Sequence, residues 1–270
     1  MAEPILETRD LTIRFGGHAA VDGVTAAFHA GTLTAIVGPN GAGKTTYFNL
    51  ISGQLPATSG HVLLAGSDIT RLGAARRAKL GIGRAFQLTN LFPNLTVHEN
   101  VRLAVQARAG GGGDIFSRWS SRRDWIEGAD RYIAAANLTD KREAPAVALP
   151  HGDKRKLEVA IMMALEPDVF MFDEPTAGMS VDDVPVILDL IRALKSKGDK
   201  TILLVEHKMD VVRSLADRIV VLHNGRLVAD GEPAAVIGSA IVQEAYLGVA
   251  APAPGAAAAA ARRAAGEAHG

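Results

Sequence analysis

The run Gly38-Pro39-Asn40-Gly41-Ala42-Gly43-Lys44-Thr45-Thr46 constrains this chain more than any other stretch, because its flanks limit how it can fold. Residues 33–37 are short, apolar and β-branched, which predicts a buried strand. Residues 45–51 suit a helix, and Gly53 supplies a left-handed stop just past its end. Strand, glycine loop and helix together form a phosphate cradle. Glycines let backbone N–H groups close on phosphate oxygens, and the helix start adds its positive dipole end. In that pattern Lys44 reaches the β- and γ-phosphates and the Thr45 hydroxyl binds Mg²⁺. The plainer alternative is a tight strand–helix turn that happens to be rich in glycine.

A phosphate site also needs a carboxylate for the metal and a group to align water. Residues 169–172 are a continuous apolar run, consistent with a strand buried on both faces, and Asp173-Glu174 follows at once. In an open parallel sheet the C-terminal strand ends are where ligands bind. Asp173 is therefore the expected Mg²⁺ ligand, directly or through water. Glu174 is the expected proton acceptor for an attacking water, a role worth about 10²–10⁴-fold in rate. His207 ends the strand at residues 201–205 in the same way, just after Glu206, and Gln87 stands at another strand end. Both are candidate polar contacts at this edge, Gln87 to the metal or the water.

The rest of the chain supplies a frame. Residues 6–29 read as a small antiparallel sheet broken at Gly16-Gly17 and Asp22-Gly23. Phe15 reads either as strand core or as a platform for a planar ligand. Residues 71–80 look like a short basic helix, and residues 82–87 strand-like. Thr96-Val97-His98-Glu99 is a capping box, with Val97, Val101, Ala104 and Val105 on one face of the helix it starts. Gly110 to Gly113 ends that helix. Beyond it, Phe116 and Trp119 in an arginine-rich setting suit a satellite cluster or a docking surface. Helices are expected at residues 122–136, 153–165, 184–197 and 208–216, and a hairpin at Asn224-Gly225. Strands alternating with helices predict an α/β fold with a mainly parallel sheet.

Composition narrows function. The 29 basic and 29 acidic residues cancel, which disfavours a nucleic-acid partner. There are no cysteines, so thiolate metal sites and cysteine nucleophiles are excluded. No apolar run approaches the roughly 20 residues of a membrane helix, and the N-terminus lacks signal-peptide architecture. A cytoplasmic protein is expected, with any membrane role through a partner.

At this point the chain resembles the ATP-binding cassette ATPases, over nearly its whole length to about Leu247. The order is theirs: Phe15, the loop from Gly38 to Thr46, Gln87, a helical insert, Leu149-Pro150-His151-Gly152-Asp153, Asp173-Glu174, Ala177-Gly178-Met179-Ser180 and His207. It is most similar to the ATPase subunits of bacterial branched-chain amino acid importers. The residues behind this are Arg14-Phe15-Gly16-Gly17, Leu95 to Val101, the long segment 106–131, Lys156 to Ala160 and Val205 to Met209. Urea and aromatic-acid importers have similar subunits. A lipid-type exporter cassette, or a soluble cassette ATPase acting on DNA or ribosomes, is the alternative class.

The resemblance implies a P-loop ATP-binding domain over residues 1–249; the N-terminal antiparallel sheet and the helix-rich, strand-poor insert at about 88–165 read as its subdomains, and the alanine-, proline- and glycine-rich stretch 250–270 reads as a disordered tail. It implies ATP and Mg²⁺, a second ATPase subunit (identical or different), two transmembrane permease subunits and, indirectly, a periplasmic solute-binding protein. It places the chain on the inner face of the cell membrane. Two subunits sandwich two ATP molecules, each site pairing one chain's phosphate loop with the other's signature, here His151, Gly152 and Asp153 in trans. Leu91 and Phe92 gain a reading as contacts to the membrane subunit. The signature departs from the usual Leu-Ser-Gly-Gly-Gln. Pro150 removes a hydroxyl donor and a backbone donor, and Asp153 brings negative charge near a phosphate. The expectation is a heterodimer with one stronger and one weaker hydrolytic site.

Overall fold

The valine-, leucine- and isoleucine-rich runs form two sheets in the computed structural model, which describes residues 3–85, 91–110, 122–239 and 242. In chain order the elements are β1 (Leu6–Phe15), β2 (His18–Phe28), β3 (Leu33–Val37), α1 (Lys44–Ser52), β4 (Ser59–Leu64), β5 (Ser67–Asp68), α2 (Ala74–Lys79) and β6 (Ile82–Ala85). Then come α3 (Val97–Arg108), α4 (Arg123–Ala135), α5 (His151–Leu165), β7 (Val169–Asp173), α6 (Val184–Ser196) and β8 (Thr201–Val205). The described part closes with α7 (Met209–Leu215), β9 (Arg218–His223), β10 (Arg226–Gly231) and α8 (Pro233–Ile237).

An antiparallel sheet runs β2-β1-β4-β5, and a second sheet runs β10-β9-β3-β8-β7-β6. The second is parallel from β9 to β6, with β10 antiparallel at its edge. Every residue of β3, β7 and β8 is buried, as continuous apolar strands covered on both faces require. Alternation sorts their side chains. Phe170, Phe172, Ile202 and Leu204 face the cluster built by α3 to α6. Met171, Leu203 and Val205 face α1 and the antiparallel sheet, against Phe48 and Phe28. Fully burying one such side chain stabilises by about 1.5–3 kcal/mol, so these two layers hold the parallel strands in register.

Local signals behave as their chemistry dictates. The Thr96 N–H donates to Glu99 at 2.8 Å and the Glu99 N–H to Thr96 at 3.1 Å, closing the capping box at the start of α3. Asn224 and Gly225 both take positive φ, 48° and 76°, as a two-residue hairpin turn demands. Helix bounds shift slightly from expectation. The basic helix is shorter (α2), and α5 begins at His151 rather than Asp153, because Pro150 takes the cap position and adds two residues to the first turn. The C-terminal end of α1 meets Arg77, a buried cation whose guanidinium donates to the carbonyls of Leu50, Ile51, Thr70 and Leu72 at 2.7–2.8 Å. Burial pushes its pKa down to about 10. The helices α3, α4 and α5 lie between β6 and β7 in sequence and pack on one another through Val101, Trp125, Ile133 and Leu157. Gln87, Phe116, Trp119 and the tail at 250–270 lie outside the described residues. Among the described residues no helix is long and apolar enough to cross a membrane.

Candidate active site

Three strand exits meet at the C-terminal edge of the parallel sheet. β3 runs into the glycine loop, β7 ends on Asp173 and passes to Glu174, and β8 passes to Glu206 and His207. Register brings them together: Ile36 pairs with Val205, and Val205 with Asp173. The result is an open cavity of about 220 Å³ lined by residues 40–46 with Ala20, Glu174 and His207.

The loop needs its glycines for space as well as rotation. Gly38 has φ 152°, and a Cβ there would lie 2.1 Å from the Leu222 carbonyl oxygen. Gly43 has φ 96°, and its Cβ would lie 2.3 Å from the Ala20 carbonyl. Gly43 is also the cap of α1 and offers no side-chain acceptor, so the first N–H groups of the helix face the cavity side without a capping side chain. Lys44 is buried, and its ammonium donates to the carbonyls of Gly38 at 2.7 Å and Pro39 at 2.9 Å. Burial lowers its pKa, and the charges of Glu174 and Asp173 oppose that shift. Here, then, the lysine closes the loop on itself. Pro39 belongs to the loop through that carbonyl, while Asn40, Gly41, Ala42, Thr45 and Thr46 line the cavity.

The acidic side is held by a network that the linear pattern did not reveal. Glu174 takes φ 50°, a left-handed conformation unfavourable for a residue with a Cβ. Its N–H donates to the Val205 carbonyl at 2.9 Å, and its Oε1 meets His207 Nε2 at 2.7 Å. Asp173 is the last residue of β7 rather than the first beyond it, and its carboxylate is paired with Arg84 at 2.8 Å, both side chains nearly buried. The Arg84 guanidinium also reaches Asn49 at 2.6 Å and Ser52 at 2.9 Å near the end of α1, over the Phe48 ring. Burial raises the Asp173 pKa, and the Arg84 charge and hydrogen bond pull it back. A single arginine inside a four-residue strand was the available signal for this pair.

Phe15 ends β1 beside the Gly16-Gly17 turn and is 52% exposed, so the strand-core reading of this residue is wrong. It does not line the 220 Å³ cavity. His151, Gly152 and Asp153 do not line it either; they form the start of α5. A Cβ at Gly152 would lie 2.6 Å from Asp183 Oδ2, and one at Gly178 would lie 3.4 Å from His151 Nε2. The negative charge expected of Asp153 beside a phosphate is instead turned inward. Its carboxylate is buried, bonded to Lys141 and, at 3.2 Å, to Lys156. Lys156 also meets Asp183 at 2.5 Å, and Asp183 accepts from Ser180 at 2.8 Å, which ties the start of α5 to the segment after Glu174.

Among the described residues no group of three or more histidines and carboxylates is assembled to cage a metal. Thr45 lines the cavity, whereas Asp173 does not and is paired with Arg84. Both carry hard oxygen donors of the kind Mg²⁺ takes, an ion that keeps several waters and uses substrate phosphates as ligands.

Residues 21–177 match the sequence profile of the family described as ABC transporter. The chain is 37% identical over 253 residues to the high-affinity branched-chain amino acid transport ATP-binding protein BraF of Pseudomonas aeruginosa, covering 92% of this chain and 99% of that protein. It is 35% identical, with the same coverage, to the high-affinity branched-chain amino acid transport ATP-binding protein LivG of Escherichia coli K12. Among solved structures it is similar to the ADP conformation of MJ1267, an ATP-binding cassette of an ABC transporter. The TM-score is 0.77 at 30% identity, covering 92% of this chain and all of that one.

Proposed function

The chain belongs to the ABC transporter family, as an ATP-binding, ATP-hydrolysing subunit, and on that premise we propose that it drives an importer of branched-chain amino acids. The observation that carries this reading is the convergence of the phosphate loop, Glu174 and His207 on one cavity. The cargo rests on the relatives, which are named as branched-chain amino acid transport proteins.

In the proposed reaction the N–H groups of the loop and of the uncapped start of α1 bind the ATP phosphates. Lys44 exchanges the Gly38 and Pro39 carbonyls for β- and γ-phosphate oxygens. Phe15, exposed at the end of β1, stacks on the adenine. Thr45 and Asp173 are the residues that would hold Mg²⁺, Arg84 keeping the Asp173 carboxylate at the strand end. When bound, the ion neutralises charge building on the phosphoryl oxygens. Glu174 accepts a proton from water as the water oxygen bonds to the γ-phosphorus and the β–γ bridging bond breaks, leaving ADP and phosphate. His207 orients the Glu174 carboxylate from 2.7 Å. Gln87 is a further polar contact to metal or water.

A second ATP-binding subunit would supply the opposing signature, and His151, Gly152 and Asp153 of this chain would serve that subunit's nucleotide in return. With the Asp153 charge neutralised internally, the deficit is confined to the donors that Pro150 lacks. This chain's signature is then the weaker of an unequal pair. Two permease subunits and a solute-binding protein complete the assembly, with this chain at the cytoplasmic face of the membrane.

The test is to purify the tagged chain with its membrane subunits, reconstitute them in vesicles, and follow labelled leucine, isoleucine and valine. ATP-dependent uptake that disappears in Lys44→Ala is expected. Uptake of none of the three, with ATP hydrolysis intact, overturns the cargo; a Lys44→Ala complex that hydrolyses at the parental rate overturns the site.

A further inference from the structure

Glu206 follows β8 and is only 3% exposed. Its two oxygens accept from neutral donors, the Thr176 hydroxyl on Oε1 and the His207 backbone N–H on Oε2 at 2.8 Å. Burying a carboxylate against neutral donors is costly, and an apolar side chain would fill the same space at a smaller desolvation penalty. Packing alone therefore gives no account of it.

Its partners do. The N–H it accepts belongs to His207, and Thr176 lies two residues beyond Glu174. The exits of β7 and β8 are thus cross-linked three times. The Glu174 N–H reaches the Val205 carbonyl at 2.9 Å, the Thr176 hydroxyl reaches Glu206, and the His207 ring reaches the Glu174 carboxylate at 2.7 Å. Glu174 sits at φ 50°, where a non-glycine residue is strained, so the turn must be held from outside. The Ala177 N–H closes it onto the Glu174 carbonyl at 3.1 Å, and Thr176, between them, is anchored to Glu206.

We propose that Glu206 is a positioning residue for ATP hydrolysis: one buried carboxylate clamps the His207 backbone and the turn after Glu174, fixing the imidazole against the carboxylate that receives the water proton. This rests on the roles given above to Glu174 and His207. Glu206 is not among the residues lining the 220 Å³ cavity, and its influence runs through their relative placement.

The experiment is ATP hydrolysis by the reconstituted complex carrying Glu206→Ala, Glu206→Gln or Thr176→Val, each in parental and His207→Ala backgrounds. Misplacing reacting groups by about 1 Å costs roughly 10²-fold, so Glu206→Ala should lower kcat by about 10–100-fold with KM for ATP unchanged within about twofold. In Glu206→Gln the amide oxygen still accepts from His207 N–H and the amide N–H still reaches the Thr176 hydroxyl, so kcat should return to within about threefold of parental. With His207 absent, the Glu206→Ala loss should shrink to that of Thr176→Val, because only the clamp on the turn after Glu174 is then left to lose. Equal Glu206→Ala losses in both backgrounds, a loss carried by KM, or a Glu206→Gln variant as slow as Glu206→Ala overturns the proposal. If Glu206→Ala does not fold, Thr176→Val takes its place: it frees the turn after Glu174 and leaves the carboxylate with its His207 bond, so a lowered kcat at unchanged KM is expected in both backgrounds, and a parental rate overturns the proposal. If His207→Ala is too slow to measure, the alanine–glutamine contrast decides. A parental rate in Glu206→Ala while Lys44→Ala is inactive overturns this inference alone, whereas an active Lys44→Ala overturns the underlying site.

Discussion

Replacing Arg84 by leucine would remove the charge that holds Asp173 while leaving an apolar body over Phe48. The two side chains are 6% and 7% exposed and 2.8 Å apart, so the variant would strand a buried carboxylate. Breaking a buried pair from one side costs about 3–5 kcal/mol. Asn49 and Ser52 also lose the guanidinium; Asn49 is half-buried with Gln54 exposed beside it, so water can replace that bond at smaller cost, and the buried Ser52 hydroxyl still donates to the Asn49 carbonyl at 3.4 Å. For a domain of this size each kcal/mol lowers Tm by roughly 2–4 °C, so the expected fall is about 6–20 °C. The pH dependence distinguishes this mechanism from lost packing. Burial already raises the Asp173 pKa above 3.8, and Arg84 is the largest influence opposing it. Without Arg84 the folded-state pKa rises further, and the folded chain holds a proton that the unfolded chain releases. The penalty is therefore absent below 3.8, grows as pH rises through the folded-state value, and is complete above it. Thermal unfolding at pH 4 and pH 8, without nucleotide, should show Arg84→Leu more damaged at pH 8. Adding Asp173→Asn should recover much of the loss. A fall under about 3 °C that is the same at both pH values, with no recovery in the double variant, would refute the reasoning.

Glu174→Gln should bind ATP as the parent does and lose about 10²–10⁴-fold in hydrolysis, read by nucleotide binding and phosphate release; a parental rate removes Glu174 as the base. Gly38→Ala would drive a Cβ to 2.1 Å from the Leu222 carbonyl, so the loop must move, and ATP affinity by calorimetry should fall by at least about tenfold. Arg77→Met would take a donor from four carbonyls, those of Leu50 and Ile51 in the last turn of α1 and those of Thr70 and Leu72 ahead of α2, and should cost at least about 3 kcal/mol in denaturant unfolding, with unchanged stability as the contrary result.

The sequence by itself determined whatever depends on neighbours a few positions apart or on one segment's apolar pattern. The phosphate loop follows from glycines that only one backbone path can use, and the capping box from two side chains three residues apart. The hairpin at Asn224-Gly225 follows from residues that tolerate positive φ. The candidates Lys44, Glu174 and His207 were legible for the same reason, since strand ends in a parallel sheet share an edge. Tertiary structure decided which charges meet. Arg84 finds Asp173 across 89 positions because β6 and β7 pair with Arg84 beside Met171. Asp153 is a liability beside a phosphate on the sequence alone; in the fold Lys141 and Lys156 take up its charge. In sequence Glu206 is only a neighbour of the histidine; burial and the Thr176 hydroxyl give it its place. Each of these outcomes is set by strand register and helix docking, where a shift of one residue sends a side chain to the opposite face. Periodicity within a single segment carries no information about that choice.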